Sequence, residues 1–328
     1  MTGRPLRLAT RGSPLALVQA HLVADLLATR DSASGQSRGV ELVVVETVGD
    51  RSQREQVPLH AVGGQGIFVK EVDAAVLDGR ADAAVHSAKD LPATPSGEGT
   101  GDGAGHGAGR GGECPIVAVL ERADPRDALV GRRLSELAAG ATVATGSVRR
   151  RAQLAWLRPD LVFSELRGNI ATRLGRRPPG GAVIVAMAAL ERLGAGDDAA
   201  EVLSPSVMLP QVGQGTIALT ARPGDEEVAA ALAGIDHERT HRALEAERAF
   251  LREVGGGCDL PVGAYAVVED DGSLRLEAMI ASLDGHVVVR RRAEGREPTE
   301  LGARLAGELL SRSGGAALLG RDAEVLRA

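Results

Sequence analysis

Aromatic side chains are scarce in this 328-residue chain, with one Trp, one Tyr and three Phe. That argues against single-stranded nucleic-acid binding, which stacks bases on aromatic platforms. The net charge of -6 argues against a general nucleic-acid surface and leaves room only for local basic clusters. Two cysteines, Cys114 and Cys258, do not make a disulfide framework. No apolar run approaches a membrane span; the most apolar, Ala182 to Leu190, suits a buried strand. The first residues, MTGRPLRLATRGSPLALVQA, contain no signal-type apolar core. The expectation is a soluble, cytoplasmic protein with no membrane and no nucleic-acid partner. Lysine is nearly absent as well: among 38 basic residues only Lys70 and Lys89 are not arginine.

What is present is an ordinary globular balance, 44% apolar and 25% charged. The length allows two or three domains. The organising stretch is Ala83 to Pro92, AAVHSAKDLP: a short buried strand, then Lys89 and Asp90, then Leu91-Pro92 as a stop. A charged pair at the carboxyl end of a strand lies where open α/β sheets bind ligands. A lysine in an arginine-rich chain also suggests a site that wants a point charge. A merely solvated strand end is the alternative.

Strand and helix patterns alternate on either side of this stretch. Leu6 to Ala9 reads as a strand, and Leu15 to Leu27 has helical spacing, with Ser13 as N-cap and Pro14 at the first helical position. Strand, polar turn and helix start form an anion-binding layout that includes Arg11, although Ser-Pro is also simply a good helix start. Val40 to Glu46 is a second strand. Thr47 to Gln65 is a long loop ending in Gly63-Gly64-Gln65-Gly66, and Phe68 to Leu77 is an amphipathic helix. These elements predict an α/β domain with a largely parallel sheet. Ser96 to Gly112 is glycine-rich and low in complexity, an expected surface insert in which His106 is solvated.

Ile116 to Leu120 is expected to start a second unit. A strand near Ala141 to Ala144 leads into Thr145-Gly146-Ser147-Val148-Arg149-Arg150-Arg151, a Ser-capped helix with arginines in its first turn. Cations there oppose the helix dipole by a few tenths to about 1 kcal/mol each, an objection that a bound anion would remove. Leu166 to Arg173 repeats the arrangement, and Ala182 to Met187 is a buried strand before a helix carrying Arg192. Arg11, Arg149, Arg150, Arg167 and Arg173 thus recur near helix starts, as expected for a carboxylate or dianionic ligand. Leu209 to Gly215, LPQVGQG, precedes a strand from Ile217 to Ala221 that returns the chain to the first domain, giving two hinged lobes. A long amphipathic helix from Asp236 to Val254 ends at Gly255-Gly256-Gly257, followed by Cys258. Turn signals at Asp271-Gly272 and Asp284-Gly285 then mark an antiparallel sheet covered by a helix from Pro298 to Leu310. Nothing beside Cys258 in the sequence lowers its thiol pKa, so a packed cysteine is the alternative to a functional one.

Eight ordered blocks resemble the porphobilinogen deaminase (hydroxymethylbilane synthase) family: RLATRGSPLAL, GGQGIFVKEVD, DAAVHSAKDLP, ERADPRDALV, TGSVRRRAQL, LRGNIATRL, LPQVGQG and GGGCDLPVGAY. The resemblance implies two periplasmic-binding-protein-like (type II) α/β domains joined by a hinge, and a small C-terminal α+β domain with an antiparallel sheet. The boundaries expected are 1–114 with 214–234, 115–213, and 235–328. It implies a monomeric transferase of tetrapyrrole (heme) biosynthesis, with no metal. Such an enzyme joins four porphobilinogen molecules head to tail on a dipyrromethane cofactor, then releases hydroxymethylbilane and four ammonia. Cys258 would carry that cofactor through a thioether, with Lys89, Thr145, Ser147, Arg149, Arg150 and Gly168 around it. Arg11, Ser13, Arg149, Arg150, Arg167, Arg173 and Arg192 would hold substrate carboxylates, and Asp90 would be catalytic. Gln65 and Phe68 belong to the lid-like loop. Gln65 stands where many relatives have Lys, Val48 where some have a basic residue, and Gly146 where a second serine follows Thr145. The alternatives are a non-catalytic hinged anion-binding protein and a Cys-dependent hydrolase, which lacks a convincing His partner; His86, ahead of Asp90, reads better as a packed strand histidine.

Overall fold

The computed structural model describes residues 4–34, 39–47, 69–93, 114–256 and 260–320. Its first elements are β1 (Leu6–Arg11), α1 (Pro14–Ser34), β2 (Val40–Val45), α2 (Lys70–Leu77), β3 (Ala83–Ser87) and β4 (Ile116–Val119). Then come β5 (Asp127–Val130), β6 (Thr142–Ala144), α3 (Val148–Leu157), β7 (Val162–Ser164), α4 (Ile170–Gly175), β8 (Ala182–Ala186), α5 (Met187–Arg192) and β9 (Ala199–Leu203). The remainder is β10 (Ile217–Ala221), α6 (Glu226–Leu232), α7 (Glu238–Glu253), β11 (Val262–Val268), β12 (Leu274–Ala281), β13 (Val288–Gly295), α8 (Pro298–Gly307) and α9 (Gly315–Leu318). Two compact units result, Met1–Glu121 with Ile217–His237, and Arg122–Thr216 with Glu238–Ala328.

The first unit has a five-stranded sheet in the order β2-β1-β3-β10-β4. Strands β1, β2 and β3 are parallel, and β10 runs antiparallel to both β3 and β4. The parallel strands are apolar on both faces because helices cover both. Leu6, Leu8 and Val85 pack with Val23 and Leu27 of α1 on one side, while Ala9 and Ala84 pack with Val72 and Val76 of α2 on the other.

In the second unit the order is β7-β6-β8-β5-β9, with β6, β7 and β8 parallel and β5 antiparallel to β8 and β9. This is the same topology, strand for strand. In each sheet the antiparallel strand, β10 or β5, is the first strand formed after the chain passes from one unit into the other. The fold is therefore the expected pair of periplasmic-binding-type α/β sheets.

A third sheet, β11-β12-β13, is an antiparallel meander in the second unit. Alternate residues of β11 and β12 (Val262, Ala264, Ala266; Leu274, Leu276, Ala278) face a core shared with Phe250 of α7 and Leu301 and Leu305 of α8. The two helices approach closely at Gly302, where a Cβ would lie 2.3 Å from the Ala246 carbonyl oxygen.

Two expectations need correction. Ile116 to Leu120 does not open the second unit: β4 pairs with β10 at the edge of the first sheet, and the chain crosses only at residues 121–122. Strands β5 and β9 were not anticipated. Each carries an acid, Asp127 or Glu201, that interrupts the apolar run by which the other short strands were read.

Candidate active site

In an open sheet, ligands bind beyond the carboxyl ends of the parallel strands, where successive crossovers leave in opposite directions. In the first sheet that point is β1, flanked by β2 and β3. Arg11 is the last residue of β1. Ser13 caps α1 as its sequence suggested, its Oγ accepting the Ala16 N–H at 3.3 Å. Beyond β3 the chain makes a single 3₁₀ turn, Ala88–Asp90, closed by the Leu91 N–H on the Ala88 carbonyl at 3.2 Å. Pro92 follows and prevents the turn from continuing. Lys89 and Asp90 are half-buried there. Asp90 makes no hydrogen bond or ion pair among the described residues.

His86, four residues earlier, is turned into the core. Its Nε2 lies 2.9 Å from Asp73 Oδ1 and 3.2 Å from Thr220 Oγ1, and Thr220 donates to the same carboxylate oxygen at 3.0 Å. The ring is buried. It is a packed strand histidine and offers no support to a Cys-His hydrolase.

In the second sheet the equivalent point is β6, between β7 and β8. Thr145, buried, follows β6 and accepts the Ser147 N–H at 3.1 Å; Ser147 in turn caps α3 by accepting the Arg150 N–H. The first turn of α3 carries three arginines with different fates. Arg151 faces solvent, whereas Arg149 and Arg150 are buried, 2% and 5% exposed. The anion that offsets their unfavourable place on the helix dipole comes from the protein: Asp127, fully buried at the start of β5. Arg149 Nη1 lies 2.8 Å from Asp127 Oδ2, and Arg150 Nε lies 2.9 Å from Oδ1. Gln214 donates to Oδ1 at 2.9 Å and to the Pro125 carbonyl at 2.7 Å.

Burial pushes the Asp127 carboxyl up, but the two guanidiniums and Gln214 outweigh it and hold it well below the usual carboxylate range. Burial lowers Arg150 to about 10 against the opposing pull of Asp127, while Arg149 and Arg173 add repulsion. Several positive charges therefore gather beyond β6.

Among the described residues, two donors in this cluster have no partner. Arg149 Nε and Nη2 are buried and unbonded. Its only engaged nitrogen is Nη1, which also donates to the Leu209 carbonyl at 2.6 Å. Nε and Nη2 form the lateral edge of a guanidinium, the edge that grips a carboxylate with two parallel hydrogen bonds.

The other candidates of this unit follow β7 and β8. Arg167 is exposed, 3.8 Å from Glu165. Arg173 donates through Nε to the Gly168 carbonyl at 2.8 Å, and Gly168 takes φ +106°, a conformation that favours glycine. Arg192, at the end of α5, donates to the Gly215 carbonyl at 2.7 Å, and burial lowers its pKa to about 10 against the partial offset of Glu191. The departure at Gly146 has a steric reason. A Cβ there would lie 2.7 Å from the Leu166 carbonyl oxygen, so the β6 and β7 loops meet too closely for serine. Val48, Gln65, Phe68, the insert at 96–112 and Cys258 lie outside the described residues.

Sequence reasoning passed over Asp127 and Gln214, although both sit in blocks it singled out, ERADPRDALV and LPQVGQG. A lone acid opening an otherwise apolar segment was the available signal. It also passed over Glu247, fully buried on α7, which pairs with Arg122 and accepts the backbone N–H groups of Gly213 and Ala266 at 2.7 and 2.9 Å. Among the described residues no group of three potential metal ligands occurs.

Residues 6–104 and 107–230 match the family description "Porphobilinogen deaminase, dipyromethane cofactor binding domain", and residues 241–311 match "Porphobilinogen deaminase, C-terminal domain". The chain belongs to the porphobilinogen deaminase family. The deaminase of Roseiflexus castenholzii is 44% identical over 96% of this chain and 99% of its own length. That of Roseiflexus sp. (strain RS-1) is 43% identical over the same shares. Among solved structures, a TRAP periplasmic solute binding protein from Desulfovibrio salexigens overlaps weakly, with a TM-score of 0.37 and 10% identity over 73% of this chain and 74% of that one. The cofactor of the family is dipyrromethane. The donors found here fit a group of that kind, because a pyrrole bearing carboxylate side chains supplies what the open edge of Arg149 lacks.

Proposed function

We propose that this chain is a transferase that condenses four porphobilinogen molecules head to tail and releases hydroxymethylbilane with four ammonia. The observation that carries the proposal is the unengaged Nε–Nη2 edge of buried Arg149, a carboxylate receptor already charged and desolvated. When bound, the dipyrromethane supplies the pyrrole carbon to which the first substrate unit is joined. Cys258 is the residue we assign to its thioether attachment, and Thr145, Ser147, Lys89 and Gly168 complete its surroundings.

Loss of ammonia from porphobilinogen leaves a methylene-pyrrolenine cation. Asp90, in its half-buried turn, stabilises that charge through the pyrrole N–H and exchanges a proton with the substrate. Arg11 with Ser13 in the first unit, and Arg167, Arg173 and Arg192 in the second, hold acetate and propionate groups. Arg192 is the best prepared of these: half-buried, it makes one hydrogen bond, to Gly215, among the described residues. We assign a monomeric state and a cytoplasmic place to the protein. We further propose three working bodies: the first unit, the β5–β9 sheet with its helices, and the β11–β13 sheet with α7 and α8.

The test is chemical. Purified protein is treated with acidic Ehrlich reagent, and its intact mass and the peptide containing Cys258 are measured. The expected result is a pyrrole colour together with a dipyrromethane adduct on that peptide. Unmodified protein that still releases hydroxymethylbilane overturns the attachment, and inactive, unmodified protein favours a hinged anion-binding protein.

A further inference from the structure

The backbone ladder that joins β1 to β3 ends at Ala9 and Ala84, whereas β3 continues beside β10 as far as Ser87, opposite Ile217. Two side chains tie the separating strand ends together by way of α1. Thr10, fully buried, donates through Oγ1 to the Ala16 carbonyl at 3.3 Å and fixes the end of β1 to the first turn of the helix. One turn further, Gln19 reaches β3: its Nε2 and Oε1 lie 2.9 and 3.0 Å from Ser87 Oγ. Gln19 is 3% exposed, and its amide holds the Ser87 hydroxyl whether that group accepts or donates.

Ser87 is both the last residue of β3 and the N-cap of the turn that carries Lys89 and Asp90, yet its side chain does not cap that turn. The hydroxyl is directed to α1 instead. The second unit repeats the device. Gln153 follows Ser147 by six residues, as Gln19 follows Ser13, on the helix after the matching strand. Gln153 is also buried, and it accepts the Leu209 N–H at 2.7 Å and donates to the Leu209 carbonyl at 3.1 Å. A glutamine at this place on the helix therefore braces a neighbouring segment in each unit.

We propose that Gln19 is a positioning residue for the condensation: through the Ser87 hydroxyl it sets the turn bearing Asp90 against the start of α1, where Arg11 and Ser13 take a substrate carboxylate. This deepens the functional proposal above and rests on it. A porphobilinogen held by its carboxylate at α1 must present its pyrrole N–H to Asp90. Both ends of that span belong to the first unit, and the Gln19–Ser87 contact fixes its length. A misplacement of about 1 Å between groups that act on one substrate costs up to about 10²-fold in rate. Carboxylate binding at α1 is left intact, so the loss falls on kcat and not on KM.

The experiment uses the full chain carrying its primer, with the loaded fraction read by intact mass so that kcat is counted per loaded chain, and with thermal melts recorded for every variant. Gln19→Met keeps the length of the side chain and removes both amide atoms; Ser87→Ala removes the hydroxyl, and Ser87→Thr retains it. Gln19→Met and Ser87→Ala are each expected to lower kcat at least about ten-fold with KM within about three-fold of wild type. The double variant is expected to be no slower than the slower single one, and Ser87→Thr to recover kcat to within about three-fold of wild type. A lowered melting temperature with wild-type kcat per loaded chain would make the contact merely structural and overturns the inference. Losses that multiply in the double variant overturn it as well, as does a KM that rises by the factor that kcat falls. Should Gln19→Met fail to fold, the two serine variants decide, and equal kcat in them overturns it. Wild-type chain that releases no hydroxymethylbilane from porphobilinogen overturns the functional proposal instead.

Discussion

Asp90 sits where a strand gives way to a single turn and a proline, so its backbone is fixed from both sides while its carboxylate has no partner among the described residues. A half-buried carboxylate of this kind stabilises a developing cation more strongly than water does, because its orientation is set before the charge appears. Asp90→Ala is expected to keep the fold, since no side-chain hydrogen bond or ion pair among the described residues is lost, and to reduce turnover at least about 10²-fold. Steady-state kinetics with thermal melts as a control checks this; near-normal turnover would refute the assignment. Asp90 was legible in the sequence because a strand end and a stop signal are local features. Asp127 was not, because its meaning depends on two arginines 22 and 23 residues further along the chain. Nothing local distinguishes an acid that neutralises a buried pair from one that simply starts a strand.

At the scale of the element, helix α3 is the piece whose placement matters most, since Ser147, Arg149 and Arg150 all lie in its first turn or cap. The β12–β13 hairpin supports it from within the second unit. Gly285, at the hairpin tip, has φ +78°, and a Cβ there would fall 2.5 Å from the Ala152 carbonyl oxygen and 2.7 Å from Ala155 Cβ. Gly285→Ala therefore combines a left-handed strain of order 1 kcal/mol with a backbone clash, for a total of about 2–4 kcal/mol. Urea unfolding should report the loss, and the folded fraction should load primer poorly because α3 has shifted. Gly272, at the tip of the other hairpin, meets nothing within 4 Å; Gly272→Ala carries the strain alone, about 1 kcal/mol, and leaves loading unchanged. Both hairpins were legible as Asp-Gly pairs, but not which of them touches a helix. The sequence also resolved β8, β10 and α7 to within a few residues, because each is long or continuously apolar; it placed the capped start of α1 but stopped that helix at Leu27, whereas it runs to Ser34. It missed β5 and β9, and it misassigned β4, because strand pairing between segments about a hundred residues apart leaves no periodic trace.

Among the described residues of the whole molecule, each unit holds one fully buried, arginine-paired aspartate. In the first it is Asp82, fully buried just before β3 and held by Arg7 and Arg4 in paired hydrogen bonds. Burial raises the Asp82 carboxyl, and the hydrogen bonds from Arg7 and Arg4 overcome this and hold it well below the usual range. Asp127 does the same in the second unit. Both carboxyls are more acidic folded than unfolded, so at pH values between the two the unfolded chain binds more protons, and stability rises with pH there. The contribution is fully present above the ordinary carboxylate range. It is lost as pH falls below about 4 toward the lowered folded values, at no more than about 1.4 kcal/mol per pH unit for each group. Melting temperature is therefore expected to be nearly level from pH 7 to about pH 5 on account of these two groups, and to fall steeply below about pH 4. Asp82→Asn should lower stability at pH 7, where a charged partner of Arg7 is removed, and flatten the acid limb, where the wild-type carboxyl is itself becoming neutral. The wild-type and variant curves then converge as pH drops. Parallel curves from pH 7 to pH 2 would show that Asp82 is not held acidic by its arginines, whatever else the substitution costs.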